Sequence, residues 1–364
     1  MGIPVMKVQR IRLPNQRMSW IVLDDEYRPV APINSYLRYL ENLNRSPNTV
    51  HTYALHLKQY WEYVHQAQLD WTHISLETIA HFMGWLRFPD SKVVSIQPPE
   101  AHRSERTINA MISAVIGFYD FQSRLDSVSA PEVDQFQVLR NRSYKPFLHH
   151  LTKGKETKTR LVKLKEPKRF PKILSHEQVE TVMTACKRLR DKFLVCLLYE
   201  TGMRIGQALG LRHEDMRSWD QEIHVLYRTD NLNGARAKSK NPNVVHVSQA
   251  VMNLYSLYLI DEYPEHVDSD YVFVNIWDGE IGHPLSYSTA TSLFRRLSRE
   301  VGFKVHPHLL RHTHATELIR AGWGMALIQK RLGHASIQTT MDTYSHLTQD
   351  DLKQAFQSYL KQKE

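Results

Sequence analysis

The sequence predicts a mainly α fold with a small antiparallel β-sheet, divided into two domains. Three observations carry that prediction. Apolar residues recur at spacings of three and four through most of the chain. One stretch, residues 223–247, alternates instead and turns at Asn233-Gly234. A strongly basic segment separates two helical blocks, and 364 residues accommodate two domains of about 100–200 each.

Residues 1–30 hold two short alternating runs, VMKVQRIRL and SWIVLD, around the polar Pro14-Asn15-Gln16-Arg17, which reads as a hairpin too short to stand alone. From Ala31 the period becomes helical, with Ile33, Tyr36, Leu37 and Leu40 on one face. Ser46-Pro47-Asn48 is a helix start with proline in the first turn, and the following helix buries Val50, Tyr53, Leu57, Tyr60, Trp61 and Val64. Two further helices are expected at Leu76–Leu86 and Ser104–Ser123, so that residues 31–139 make a helical domain. Its histidines have no metal-ligand spacing.

Twelve Lys/Arg but only Glu156 and Glu166 lie between Arg140 and Lys172, so this one connection, read as a linker over 140–172, carries +10 and accounts for the whole net charge of +9. Charge concentrated in that way fits a strap across a phosphate backbone, with Lys163, Lys165, Lys168 and Arg169 as contacts that bind without reading bases.

The second domain, residues 173–346, opens at Ser175, where Gln178 stands three residues on in capping-box spacing. RDKFLVCLLYETG is apolar nearly all round and reads as the core helix, stopped by Gly202. After the alternating stretch come helices at Val251–Glu262 and Ser288–Val301, with a strand at Tyr271–Ile276 between them, and two short helices ending at Gly322 and Gly333. Residues 347–364 form an amphipathic C-terminal helix through Leu352, Phe356, Tyr359 and Leu360. Cys186 and Cys196 fall in apolar helical patterns, as buried free thiols rather than a disulfide or zinc pair. No apolar run spans a bilayer and no secretory signal opens the chain, so a cytoplasmic, DNA-associated protein is expected.

The chemistry concentrates between His306 and Tyr344. On a helix His308, Arg311, His312 and Ala315 share one face. A guanidinium holds two phosphate oxygens and keeps its charge, while an imidazole moves a proton near neutrality. Arg204, just past the stop at Gly202, brings a second permanent cation, and His334 in LGH another donor. Together they can serve a phosphodiester without metal ions. Tyr344, ten residues after His334, is the candidate nucleophile; a phenol with a pKa of about 10 needs such a cationic pocket to attack at neutral pH. Lys238, in the connection before the last strand, is placed to protonate the departing sugar oxygen.

These motifs, in this order over residues 175–346, resemble those of tyrosine recombinases of the phage-integrase family. Arg204 in TGMRIGQALGL matches the first arginine and Lys238 in ARAKSKNPNVVHV the hairpin lysine, with Lys240 as the weaker alternative. His308 and Arg311 match the His-x-x-Arg box, His334 the second histidine, and Tyr344 the nucleophile. The resemblance implies a helical core-binding domain followed by an α+β catalytic domain, closing on duplex DNA recombination sites. It implies a homotetramer on DNA, strand exchange through a 3'-phosphotyrosine without cofactor, metal or ATP, and possible accessory recombination proteins. It leans towards a mobile-element transposase or integrase. A chromosome or plasmid dimer-resolving recombinase is the alternative, with a type IB topoisomerase, a non-catalytic DNA-binding protein and a histidine-based metallohydrolase further off. One departure stands out: relatives commonly read Arg-x-Ser-Glu where this chain has Arg204-Ile205-Gly206-Gln207, which leaves open what orients Arg204.

Overall fold

The computed structural model describes residues 6–13, 18–88, 101–125, 128, 134–138, 156–167, 172–236 and 241–333, with backbone alone for 134–138 and 156–160. The chain divides into two compact units at Lys168/Arg169.

The first unit begins with an antiparallel hairpin, β1 (Lys7–Arg12) and β2 (Met18–Leu23). Four helices follow, α1 (Ala31–Asn42), α2 (Pro47–Gln66), α3 (Leu76–Arg87) and α4 (Glu105–Ser123). Three of them start where a serine side chain accepts the third backbone N–H of the helix, Ser46 from Thr49, Ser75 from Thr78 and Ser104 from Thr107. The apolar faces meet in an aromatic core in which Tyr60, Phe82, Phe118 and Tyr119 are fully buried. The phenols inside are paired: Tyr60 and Tyr119 share a 2.8 Å hydrogen bond and Tyr119 donates to Trp71 O. Asn34 clamps the hairpin to α1 by bonding both the N–H and the carbonyl of Val22.

A second hairpin, β3 (Asp134–Val138) with β4 (Glu156–Arg160), belongs to the same unit. Part of the basic segment expected to link the two domains over 140–172 therefore belongs to the first unit. Val162 is buried in the first core, and Asn109 bonds both the N–H and the carbonyl of Leu164. Lys163 and Lys165 alternate with these anchors and are exposed, as period-two chain geometry requires. Lys168 and Arg169 lie outside the described residues.

The second unit is arranged around α6 (Leu189–Thr201), preceded by α5 (His176–Thr184), whose capping box forms between Ser175 and Gln178. Phe193, Leu194, Val195, Leu197 and Leu198 on α6 are fully buried, each contributing roughly 2 kcal/mol of apolar burial. The short α7 (Ile205–Ala208) follows, then a three-stranded antiparallel sheet of β5 (Met216–Arg217), β6 (Glu222–Val225) and β7 (Asn243–His246) in that order. Helices α8 (Gln249–Asp261), α9 (Tyr287–Glu300), α10 (Pro307–Arg320) and α11 (Met325–Leu332) complete it, and α6 packs against both α8 and α10. No described helix is long and apolar enough to cross a membrane.

The strand expected at Tyr271–Ile276 is replaced by isolated bridges, Arg212 to Tyr271 and Val274 to Pro284. The segment is extended, but its two edges meet different partners, so no continuous ladder forms. Buried charge holds it in place. Arg190 donates to Asp191 and to Val274 O, and Arg296 on α9 donates to the other Asp191 oxygen at 2.7 Å. Cys186 and Cys196 are free thiols, and burial pushes both up, to about 12 and about 11.

Candidate active site

The site is assembled at helix ends. A helix leaves its last carbonyls without intrahelical donors, with partial negative charge, so cations gather there. Gly202 ends α6 at φ +62° and Gly333 ends α11 at φ +63°. Gly202 is required twice over, because a Cβ there would also stand 2.7 Å from the rings and methyls of His314 and Leu332.

Arg311, three residues after the exposed His308 on α10, points inward and is buried. Its Nη1 donates to Gly202 O at 2.6 Å and its Nη2 to Leu332 O at 2.9 Å, so it joins the ends of α6 and α11. Arg204, between α6 and α7, donates from Nη1 to the next carbonyl, Gly333 O, at 3.3 Å. The two arginines are thus brought to consecutive carbonyls, and His334 is the next residue in the chain. Burial lowers the pKa of Arg204 without threatening its charge.

His308 is exposed and borders a cavity of about 680 Å³ shared with Ile205, Tyr287 and Phe294, which puts it at the same end of the domain as α7. Lys238, Lys240, His334 and Tyr344 lie outside the described residues, as does the tail with Leu352 and Phe356.

The other histidines of the stretch have separate duties. His306 caps α10, its Nδ1 accepting from the Leu309 N–H at 3.1 Å. His314 is buried and accepts at Nε2 from Arg331, and burial with the Arg331 and Arg311 charges lowers its pKa to about 3. His312 is lowered to about 4 by burial, then by His308 and Arg311. Among the described residues no group of three or more His, Cys, Asp or Glu is arranged to hold a metal ion.

The unusual Arg204-Ile205-Gly206-Gln207 acquires a physical account. The Gln207 side-chain oxygen accepts from the Arg204 N–H at 2.8 Å, so an amide fixes the backbone at the start of α7 while Gly333 O directs the guanidinium. At Gly206 a Cβ would lie 2.0 Å from the Tyr287 hydroxyl, which fills the space of a side chain and bonds the Arg236 backbone, two residues before Lys238. Sequence reasoning missed Tyr287 and Arg331. The only local sign for Arg331 is a cation in the last turn of a helix.

The second unit brings two arginines to converging helix ends, an arrangement suited to an anionic group such as a phosphodiester. The chain belongs to the phage integrase family of tyrosine recombinases, enzymes that break and rejoin DNA. Residues 172–351 match that family and residues 33–124 match its N-terminal SAM-like domain. The chain is 42% identical over 361 residues to transposase A from transposon Tn554 of Staphylococcus aureus (strain N315), covering 99% of both. It is 28% identical to the tyrosine recombinase XerD of Halalkalibacterium halodurans over 85% of this chain and 91% of that one. Among solved structures, the Tn1549 transposon integrase in complex with a circular intermediate DNA matches with a TM-score of 0.61 at 16% identity, over 90% of this chain and 99% of that one. The XerH recombinase bound to its difH substrate matches with a TM-score of 0.58 at 21% identity, over 86% and 80%.

Proposed function

We propose that the chain acts as a mobile-element recombinase on duplex DNA, with Tyr344 as nucleophile and Arg204, Lys238, His308, Arg311 and His334 around the scissile phosphate. The observation that carries this reading is the meeting of Arg204 and Arg311 on the carbonyls of Gly333 and Leu332, directly before His334. Two guanidinia there neutralise the non-bridging oxygens, and each donor aimed at developing charge contributes about 3 kcal/mol.

The Tyr344 oxygen attacks phosphorus, forming a 3'-phosphotyrosyl bond as the bond to the 5'-oxygen breaks. That oxygen leaves with a proton from Lys238. Attack by a second strand's 5'-hydroxyl reverses the step and releases the phenol, so the bond energy is conserved without ATP. Residues 31–139 would bind the duplex as the core-binding domain, and the exposed Lys163 and Lys165, together with Lys168 and Arg169, would contact its phosphate backbone. Four protomers on two sites, in the cytoplasm, complete the reading, and the Tn554 transposase likeness favours a transposase over a dimer resolvase.

The test is a nicked suicide DNA substrate. Tyr344→Phe should abolish the covalent adduct while DNA binding stays within a few-fold; an adduct that persists removes Tyr344 from the role. Replacing Lys163 and Lys165 with alanine should weaken binding, flatten its salt dependence and leave site choice unchanged.

A further inference from the structure

We propose that Arg331 is a positioning residue for Arg204 and Arg311, pinning the end of α11 so that both guanidinia lie on one phosphate. The inference rests on the recombinase reading above.

Helix α11 has eight residues, and its apolar anchorage is slight: Ile328 and Leu332 pack with Ala315 in a small cluster apart from the main core. Burial on that scale does not fix the end of a helix to the tolerance that phosphoryl transfer needs, where a displacement of about 1 Å costs about a hundredfold in rate. Polar ties supply the rest. Arg331, in the last turn, reaches three other elements at once. Its Nε donates to His314 Nε2 on α10 at 3.0 Å, and its Nη2 donates to Glu200 O on α6 at 2.9 Å and to His246 O at the end of β7 at 3.2 Å. Asn243 on β7 returns a bond to Arg331 O at 3.3 Å.

Those ties close a loop. Arg331 joins the end of α11 to Glu200 O, while Arg311 joins Gly202 O, two residues further along the same helix, back to Leu332 O. Arg204 then hangs from Gly333 O. The carbonyls of 331, 332 and 333 are each taken by a different side chain, and Arg331 ties this run of backbone to α6 from its own side. A planar fork with fixed donors suits three acceptors in three directions, which a flexible ammonium does not. Its Nε and Nη2 are engaged by protein acceptors, and through them its effect passes to the two arginines. His314 can accept this bond only while neutral, and its burial between two arginines keeps it so.

The experiment compares suicide substrates carrying either the normal scissile phosphate or a methylphosphonate, in which a methyl group replaces one non-bridging oxygen and removes the charge. A neutral linkage has less need of correctly placed guanidinia. For Arg331→Met we expect DNA affinity within about twofold, cleavage of the phosphate slowed about tenfold or more, and cleavage of the methylphosphonate within about threefold of wild type. Arg331→Lys should fall between. An unchanged rate on phosphate, or an equal loss on both substrates, overturns the proposal, the latter assigning Arg331 a structural role only. Arg311→Ala serves as the control: if it cleaves phosphate normally, the underlying active-site reading fails rather than the inference. Should Arg331→Met melt below the assay temperature, His314→Phe removes one acceptor at similar volume and is read by the same two-substrate ratio.

Discussion

The two units start their helices alike, with serines capping from three residues away: Ser46, Ser75 and Ser104 in the first, Ser175, Ser248 and Ser286 in the second. In the second, the ends of α6 and α11 are capped by arginines more than a hundred residues distant from Gly202 and Gly333 along the chain, Arg311 and Arg204. A local cap sets where one element begins. A remote cap sets where two elements stand relative to each other, and at this site those capping groups are also the candidate phosphate ligands. Stability and chemistry are consequently coupled at those two helix ends and separable at the local caps.

Breaking the remote caps should have the largest effect. Arg311→Ala is expected to lower the cleavage rate by about a hundredfold or more, and also to destabilise the second unit by about 2–3 kcal/mol through two orphaned carbonyls. Single-turnover cleavage and urea unfolding measure the two losses, and a catalytic defect without a stability loss would show that the caps are dispensable for folding. Next is Asp191→Ala, which leaves Arg190 buried without its carboxylate and should cost about 3 kcal/mol. Unlike Arg311→Ala it should leave the cleavage rate of the folded fraction close to wild type.

Acid provides a graded version. The pKa values of His312 and His314 are held below the ordinary 6.5, at about 4 and about 3, so as pH falls the unfolded chain takes up protons first. Their contribution to stability is complete above about pH 6.5 and is lost as pH falls towards those folded values, at up to about 1.4 kcal/mol per pH unit per group. Denaturation midpoints between pH 7 and 4 should decline, and His314→Phe should flatten part of that decline. The smallest effect belongs to a local cap: Ser104→Ala should cost about 1 kcal/mol of first-unit stability with second-unit unfolding unmoved.

Much of this architecture was legible along the chain because its signals are local. Helix α2 began after the expected cap at Ser46, α1 and α3 began at the expected Ala31 and Leu76, the capping box formed between Ser175 and Gln178, and Gly202, Gly322 and Gly333 took left-handed conformations where helices were expected to stop. The extended segment 271–276 was misread as a strand because alternation records burial on two sides and says nothing about which partners supply a ladder. The placement of Lys163 and Lys165 was likewise hidden, since nothing in the charge run announces that Val162 and Leu164, which alternate with them, dock on the first core.

The sequence by itself determined which residue types stand in which order: a helix stop followed by Arg204, a His308–Arg311 pair, a second stop at Gly333, and Tyr344 beyond. Those are short-range facts, set by backbone propensity and by the chemistry a phosphate demands. Only the tertiary structure decided that Arg311 turns inward while His308 faces out, that Tyr287 occupies the space over Gly206, and that Arg331 ties α11 to α6. Each of these is a hydrogen bond or a close approach between residues far apart in the chain, and no periodicity encodes such a contact until the core has packed and left each guanidinium one set of carbonyls within reach.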